Sequence, residues 1–204
     1  MVTGDKARLI WIGERIQRFR EGAGLSVDEL ARRAGLLMTQ LQRIEEEYLA
    51  PPLGILARIA EGLGIKTGHF FGLESRNIYS YSPAGEKTVA TRLAIRDGQD
   101  FGIEYQYLGL NKRGHLLEPF SVVLSSRQLS VPKQDEWMFS PLHHSGEEIV
   151  HVQSGKVEIR LAEQPFMLLP GDVMSFDARI PHQFQPASDG ECQLLVILGQ
   201  QRAL

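Results

Sequence analysis

Residues 141–155 read PLHHSGEEIVHVQSG, which gathers three histidines and two glutamates within fifteen positions. Imidazoles and carboxylates bind divalent metals, move protons near neutral pH and hydrogen-bond polar ligands, so the stretch fits a metal site, a catalytic site or the wall of a sensor pocket. Spacing sorts its members. Side chains alternate faces along a strand. His144, Glu148, Val150 and Val152 share one parity, and the valines mark that face as the inner one. His143, Glu147 and His151 take the opposite parity and read as solvent-facing polar residues. Farther along, His182 and Phe184 share one face of a later run. Upstream, Tyr105 and Tyr107 share a strand face, where two phenols suit either ligand contact or core packing.

The elements that must position these residues fall into two halves with different periods. From about residue 91 onward, short runs rich in Val, Ile, Tyr and Phe (IEYQYLGL, FSVVLSS, EIVHVQSG, VEIRLAE, FMLLPGD, QLLVILG) alternate with turn signals such as Ser154-Gly155, Pro170-Gly171-Asp172 and Asp189-Gly190. That pattern predicts an all-β sandwich or barrel. The first 75 residues instead follow a helical period. Ile12, Ile16 and Phe19 lie on one face, and Gly22-Ala23-Gly24 stops that helix. Ser26-Val27-Asp28-Glu29 has the S-x-x-E form in which hydroxyl and carboxylate satisfy each other's backbone N–H groups, so a second helix starts there. A third helix follows from Leu37 to about Glu47 with Leu41 and Ile44 inside. A fourth carries Leu53, Leu56, Ile59, Ala60 and Leu63, and a short fifth turn holds Phe70 and Phe71. The polar run SRNIYSYSPAGEKTVA separates the halves. The expected division is a helical domain over 1–75, a linker over 76–92 and a β domain over 93–204, hence an α+β chain of two domains.

The bulk numbers limit the function classes. The net charge is -3; residues 1–75 carry 10 basic and 10 acidic side chains, leaving 12 and 15 for the remainder. Neither half is strongly basic, so any nucleic-acid contact must come from a local face. No apolar run approaches the ~20 residues of a membrane span. The N-terminus lacks a signal-peptide pattern, and Cys192 has no second cysteine to pair with. The expectation is a soluble, cytoplasmic protein with no membrane partner.

Residues from about Ile12 to Phe71 resemble the helix-turn-helix domain of phage repressors and Xre-type regulators, a five-helix lambda-repressor-like bundle. Three runs carry the likeness: Leu25-Ser26-Val27-Asp28-Glu29-Leu30-Ala31-Arg32-Arg33-Ala34-Gly35, the following Leu36 to Glu45, and Pro51 to Leu63. The resemblance implies that the third helix enters the major groove of double-stranded DNA, with the protein acting as a homodimer. Thr39, Gln40, Gln42 and Arg43 lie off the buried face of that helix; Gln pairs with adenine and Arg with guanine. Arg32 and Arg33 are the expected phosphate contacts. Two departures stand out. Leu37 replaces the usual N-cap serine, and Glu45-Glu46-Glu47 puts three acids near the DNA side. A bundle retained for dimerisation alone accounts for both.

The β half resembles the cupin family, a double-stranded β-helix of jelly-roll type. His144, Glu148 and Gly155 fit the tail of the first cupin motif; Pro170-Gly171-Asp172 and Pro181-His182-Gln183-Phe184 fit the second. The resemblance implies that His144, Glu148 and His182 converge inside the barrel. Two imidazoles and a carboxylate suit Fe(II), with Zn or Mn as alternatives. The family's first motif histidine falls on Leu142, so three ligands are expected rather than four. A metal-free pocket that hydrogen-bonds a small-molecule effector uses the same residues, with Tyr105, Tyr107 and Phe184 as further lining. The first reading is therefore a DNA-binding transcriptional regulator with a cupin sensor, not an enzyme. The rival is a non-haem Fe(II) oxygenase or epoxidase, because the chain also resembles the phosphonate epoxidase and dioxygenase group through His144, Glu148, His182 and the paired tyrosines.

Overall fold

A computed structural model describes residues 12–46, 51–71, 81, 90–94, 100–109, 116–125, 141–187 and 189–199. Most of the expected linker and Glu47 lie outside the described residues.

The helical half forms α1 (Ile12–Gly22), α2 (Val27–Arg33), α3 (Met38–Glu46), α4 (Leu53–Leu63) and a 3-10 turn over Thr67–Phe70. Where five helices were expected, the described residues form four α-helices and a 3-10 turn, because the Phe70 segment is too short to propagate an α-helical ladder. The capping box at α2 is present: the Glu29 N–H donates to the Ser26 hydroxyl at 3.2 Å, and the Ser26 N–H donates to the Glu29 carboxylate at 2.8 Å. Ile16, Leu30, Leu41, Ile44, Ile55, Leu56 and Ile59 are fully buried and make the bundle core. The tight turn between α2 and α3 needs Gly35, whose φ is +62°. Arg58 of α4 holds that turn by donating to the main-chain oxygens of Ala34, at 2.7 Å, and Gly35.

The second half forms β1 (Ala90–Ala94), β2 (Asp100–Tyr107), β3 (Leu117–Ser125), β4 (Glu147–Ser154), β5 (Val157–Leu161), β6 (Gln164–Leu168), β7 (Val173–Asp177), β8 (His182–Pro186) and β9 (Glu191–Gly199). β1 begins ahead of residue 93. The strands make two antiparallel sheets, in the orders β1-β2-β3-β9-β4-β7 and β6-β5-β8. Alternation along β3 and β9 is strict: Phe120, Val122 and Leu124 face inward, as do Cys192, Leu194, Val196 and Leu198. These residues fill the space between the sheets, as in a cupin sandwich.

The bundle packs against the β domain. Phe71 stacks edge-on to Phe120 at 5.4 Å and lies 6.0 Å from Tyr107, whose ring is 5.1 Å from that of Phe120. Gly68 is required here, because any Cβ at that position would overlap the Tyr107 ring. At the edge of this cluster Glu118 is fully buried on β3 and accepts the N–H groups of Gly68 at 2.6 Å and Thr67 at 3.2 Å. Burial pushes its carboxyl above the usual range, although these bonds and nearby Lys66 and His69 pull the other way.

Candidate functional site

Inward-facing positions on β4 and β8, with the segment before β4 tied to Ala178 by the His144 N–H at 2.9 Å, bring the expected β-domain set together. His144 precedes β4, Glu148 lies on it and His182 opens β8; all three are buried. Leu142 bridges to His182 by main-chain bonds of 2.9 and 2.8 Å, which draws the segment before β4 onto β8. Candidate ligand atoms of His144, Glu148 and His182 all lie within 4.8 Å of one another. His143 and Glu147 are exposed and His151 half-buried on the other face, as their parity predicts.

The hydrogen bonds define the electrostatics of this triad. His144 Nδ1 lies 3.0 Å from the Ser145 carbonyl and His182 Nδ1 lies 2.9 Å from the Ile180 carbonyl. A carbonyl oxygen can only accept, so each Nδ1 carries a proton and donates. Both Nε2 atoms then face one carboxylate oxygen, Glu148 Oε2, at 3.1 Å from His144 and 3.4 Å from His182. Two imidazole lone pairs aimed at an anion repel it, so the arrangement needs positive charge between the three atoms. A proton on Nε2 supplies it. A divalent cation supplies it equally, with each Nδ1–H fixed by a carbonyl as metal-bound imidazoles require. Ligand atoms about 2.1 Å from one ion stand about 3.0–3.4 Å apart, and the two separations from Glu148 Oε2, 3.1 and 3.4 Å, match that range. Without metal, burial alone would raise Glu148, but its hydrogen bonds to both histidines hold it down at about 2. Burial alone would lower His144, but the bond to Glu148, that carboxylate's charge, the Ser145 carbonyl and the charge of Glu61 together outweigh it and raise the imidazole above its ordinary value.

Beside the triad lies a chamber of about 80 Å³. Glu148, His182 and Gln183 form its polar end; Ile103, Val122, Leu124, Phe184 and Val196 form its apolar walls. Leu142 lines it too, so the residue at the missing-histidine position supplies wall rather than ligand. Tyr105 and Phe184 line the chamber as expected. Tyr107 is not in that lining; its ring packs in one cluster with Phe71 and Phe120. The remaining wall comes from the other domain. Pro52, Leu53 and Gly54 at the start of α4 close the chamber, and the Leu53 N–H donates to the Tyr105 hydroxyl at 3.2 Å. Sequence reasoning missed this wall, since nothing in Pro-Pro-Leu-Gly signals a partner fifty residues away. It also passed over Glu118, although a carboxylate on the inward parity of Phe120 and Val122 is a legible sign of a buried polar contact.

The candidate DNA residues lie at the end of α2 and along α3, with Arg43 in the last turn of α3. Arg32, Arg33 and Thr39 are exposed, and Gln40, Gln42 and Arg43 are half-buried. Arg32 pairs with Asp28 across one helical turn at 3.1 Å. Gln40 is already engaged: its Oε1 accepts the Leu37 N–H at 2.9 Å, the half of a capping box that the third helical residue supplies, while the hydroxyl half is lost with Leu37. Free bidentate pairing of Gln40 with adenine would break that cap. The triple-acid run also resolves differently from its sequence reading. Glu45 is buried and accepts from Arg20 Nε and Nη2, both at 2.8 Å, so its carboxylate is turned into the bundle. Of the three acids, Glu46 is exposed.

The fold and the site thus define a helix-turn-helix bundle whose fourth helix closes the chamber of a cupin-like domain. The helix-turn-helix domain family matches residues 11–69 and the cupin domain family matches residues 131–198. The chain is a helix-turn-helix transcriptional regulator with a C-terminal cupin domain. Among curated proteins it is similar to the HTH-type transcriptional regulator PuuR of Escherichia coli, at 23% identity over 187 residues that cover 90% of this chain and 91% of PuuR. Among solved structures, an HTH_3 family transcriptional regulator from Vibrio cholerae superposes with a TM-score of 0.65 at 21% identity, covering 95% of this chain and 97% of the other, which supports the shared fold. The hydroxypropylphosphonic acid epoxidase from S. wedmorenis gives a TM-score of 0.41 at 21% identity over 93% of this chain and 97% of its own, too distant to bear on chemistry. Among the described residues, no helix is long and apolar enough to cross a membrane.

Proposed function

We propose that the chain binds operator DNA as a homodimer through α3 and that occupancy of the cupin chamber changes that binding. In this reading Thr39, Gln42 and Arg43 reach base edges, with Gln40 doing so if its cap opens, while Arg32 and Arg33 hold phosphates. His144, Glu148 and His182 hold one divalent metal, Fe, Zn or Mn, which supplies a positive charge and open coordination positions for an effector. At about 80 Å³ the chamber is smaller than the ~150 Å³ cavity that admits benzene, so the effector is small or enters by widening the site.

One observation carries the reading: the chamber is walled by both domains. An occupant that touches Tyr105 and Leu142 also touches Leu53 and Gly54 at the start of α4. A Cβ built on Gly54 would stand 3.3 Å from Leu142 and 3.7 Å from His144, so there is little slack. Filling the chamber therefore presses on the helix that Arg58 ties to the α2–α3 turn. A ligand with different affinities for two placements of the bundle would couple the sites, typically by ~1–3 kcal/mol.

A mobility shift of the full-length protein on the DNA upstream of its own gene, against random duplex at physiological salt and with or without Fe(II) or Zn(II), tests the proposal. A specific shift that responds to metal supports it; no specific shift under either condition removes it. Arg43→Ala should weaken specific binding by ~1–3 kcal/mol while leaving non-specific binding nearly unchanged. An unaltered specific affinity would take Arg43 out of the reading set. Affinity should also fall steeply with added salt as phosphate contacts release counterions, and a flat response would show that the complex is not groove-bound.

A further inference from the structure

The DNA-reading surface has an apolar component that its polar residues do not account for. Leu37 is 66% exposed and Met38 44% exposed, side by side at the head of α3. Among the described residues of the bundle these are the only exposed large apolar side chains; the others lie at Tyr81 or in the β domain. Their neighbour Leu36 packs against the core, so the chain turns one leucine inward and the next two apolar side chains outward. A single exposed apolar residue is ordinary, but an adjacent pair at the leading end of a recognition helix is placed for a partner. The pair is flanked by exposed Thr39 and, on the preceding helix, exposed Arg32 and Arg33. That setting of hydroxyl and guanidinium groups matches a phosphate-rimmed groove. Main-chain bonding lets position 37 carry an apolar side chain: the Gln40 N–H donates to the Leu37 carbonyl at 3.0 Å, and the Gln40 side chain accepts the Leu37 N–H at 2.9 Å.

On the floor of the major groove the apolar group is the 5-methyl of thymine. We propose that Leu37 and Met38 contact thymine methyl groups and so specify thymine where the head of α3 enters the groove. This rests on the reading that the bundle binds DNA, and the experiment separates the two.

Full-length protein is used to select duplexes from a random library. Its affinity is then measured on the selected duplex and on versions in which single thymines are replaced by deoxyuridine, which deletes the methyl and keeps the O4 acceptor. Uracil at one or two positions in each half-site is expected to weaken binding about fourfold, the value of one buried methylene. The Leu37→Ala/Met38→Ala double variant is expected to bind the thymine and uracil duplexes equally. Both positions are solvent-exposed, and an unchanged thermal midpoint establishes that the variant is folded. Selection of a defined sequence whose affinity is indifferent to uracil at every thymine would overturn the proposal while leaving DNA reading intact. So would a uracil effect that survives the double substitution, since the methyl would then be read elsewhere. Failure to select any sequence would bring down DNA reading and this proposal together.

Discussion

Glu148→Ala is expected to take the protein from stoichiometric metal to none detectable after exposure to Fe(II), Zn(II) or Mn(II) and dialysis. Glu148 Oε2 faces the Nε2 atoms of both His144 and His182, and the side chain is buried. Its loss leaves two neutral imidazoles, an incomplete ligand set with no charge to balance the ion. Glu148→Gln keeps the shape without the charge and should also lose the metal. Equal metal content in wild type and both variants, measured by plasma emission spectrometry, would end the triad assignment. The metal-free protein carries a related signature. Glu148 is held down at about 2 from an ordinary 4.5, so its stabilising contribution is present above 4.5 and is lost as the pH falls toward 2. His144 is raised above 6.5, so its contribution is full below 6.5 and is lost as the pH rises through its folded value. The apo site should therefore stabilise the fold most between about pH 4.5 and 6.5, and melts of the chelated protein across pH, compared with Glu148→Gln, read this directly. Parallel pH profiles for the two proteins would show that the His–Glu contacts do not form.

The second large effect concerns the bundle. Arg20→Ala should lower its stability by ~3–5 kcal/mol, because the change strands the Glu45 carboxylate in a site where the paired side chains are only 9% and 4% exposed. Arg20 also donates to the Leu25 carbonyl at 3.0 Å, so the loop between α1 and α2 loses a tie as well. The ion pair anchors α1 to α3, and specific DNA binding should fall with it. Replacing both partners together, Arg20→Met with Glu45→Leu, should recover most of the loss, since apolar packing often equals a buried ion pair. Denaturant melts followed at the helical ellipticity minimum measure both. A midpoint unmoved by Arg20→Ala would mean that the pair is solvated rather than buried.

The local elements were readable from the sequence because each has a local cause. The capping box at Ser26, the inward stripes of α1 and α4 and the period-2 alternation of β3, β4 and β9 depend on neighbours a few residues apart. Parity placed Glu148 on the inner face of β4, whereas His144 lies ahead of that strand and reaches the same side through main-chain bonds of its own segment to Ala178 and His182. β1 and β7 were not singled out, since TRLA and VMSFD carry weak patterns and gain their strand state from antiparallel partners.

What the sequence determined by itself was the division into a helical reader and a β sandwich, and the residue types available at each site. Backbone propensity and hydrophobic period are short-range, so they survive in a linear reading. Tertiary structure alone decided how those residues are used. It turned Glu45 inward onto Arg20, twenty-five positions away, and converted an apparent source of repulsion into an anchor. It gave Gln40 a capping role and left Leu37 and Met38 pointing outward. It also carried the start of α4 onto Tyr105, fifty-two positions on, so that the DNA-binding domain forms part of the chamber wall. These contacts depend on how whole elements dock, which is set by the packing of many distant side chains and has no period or motif to announce it.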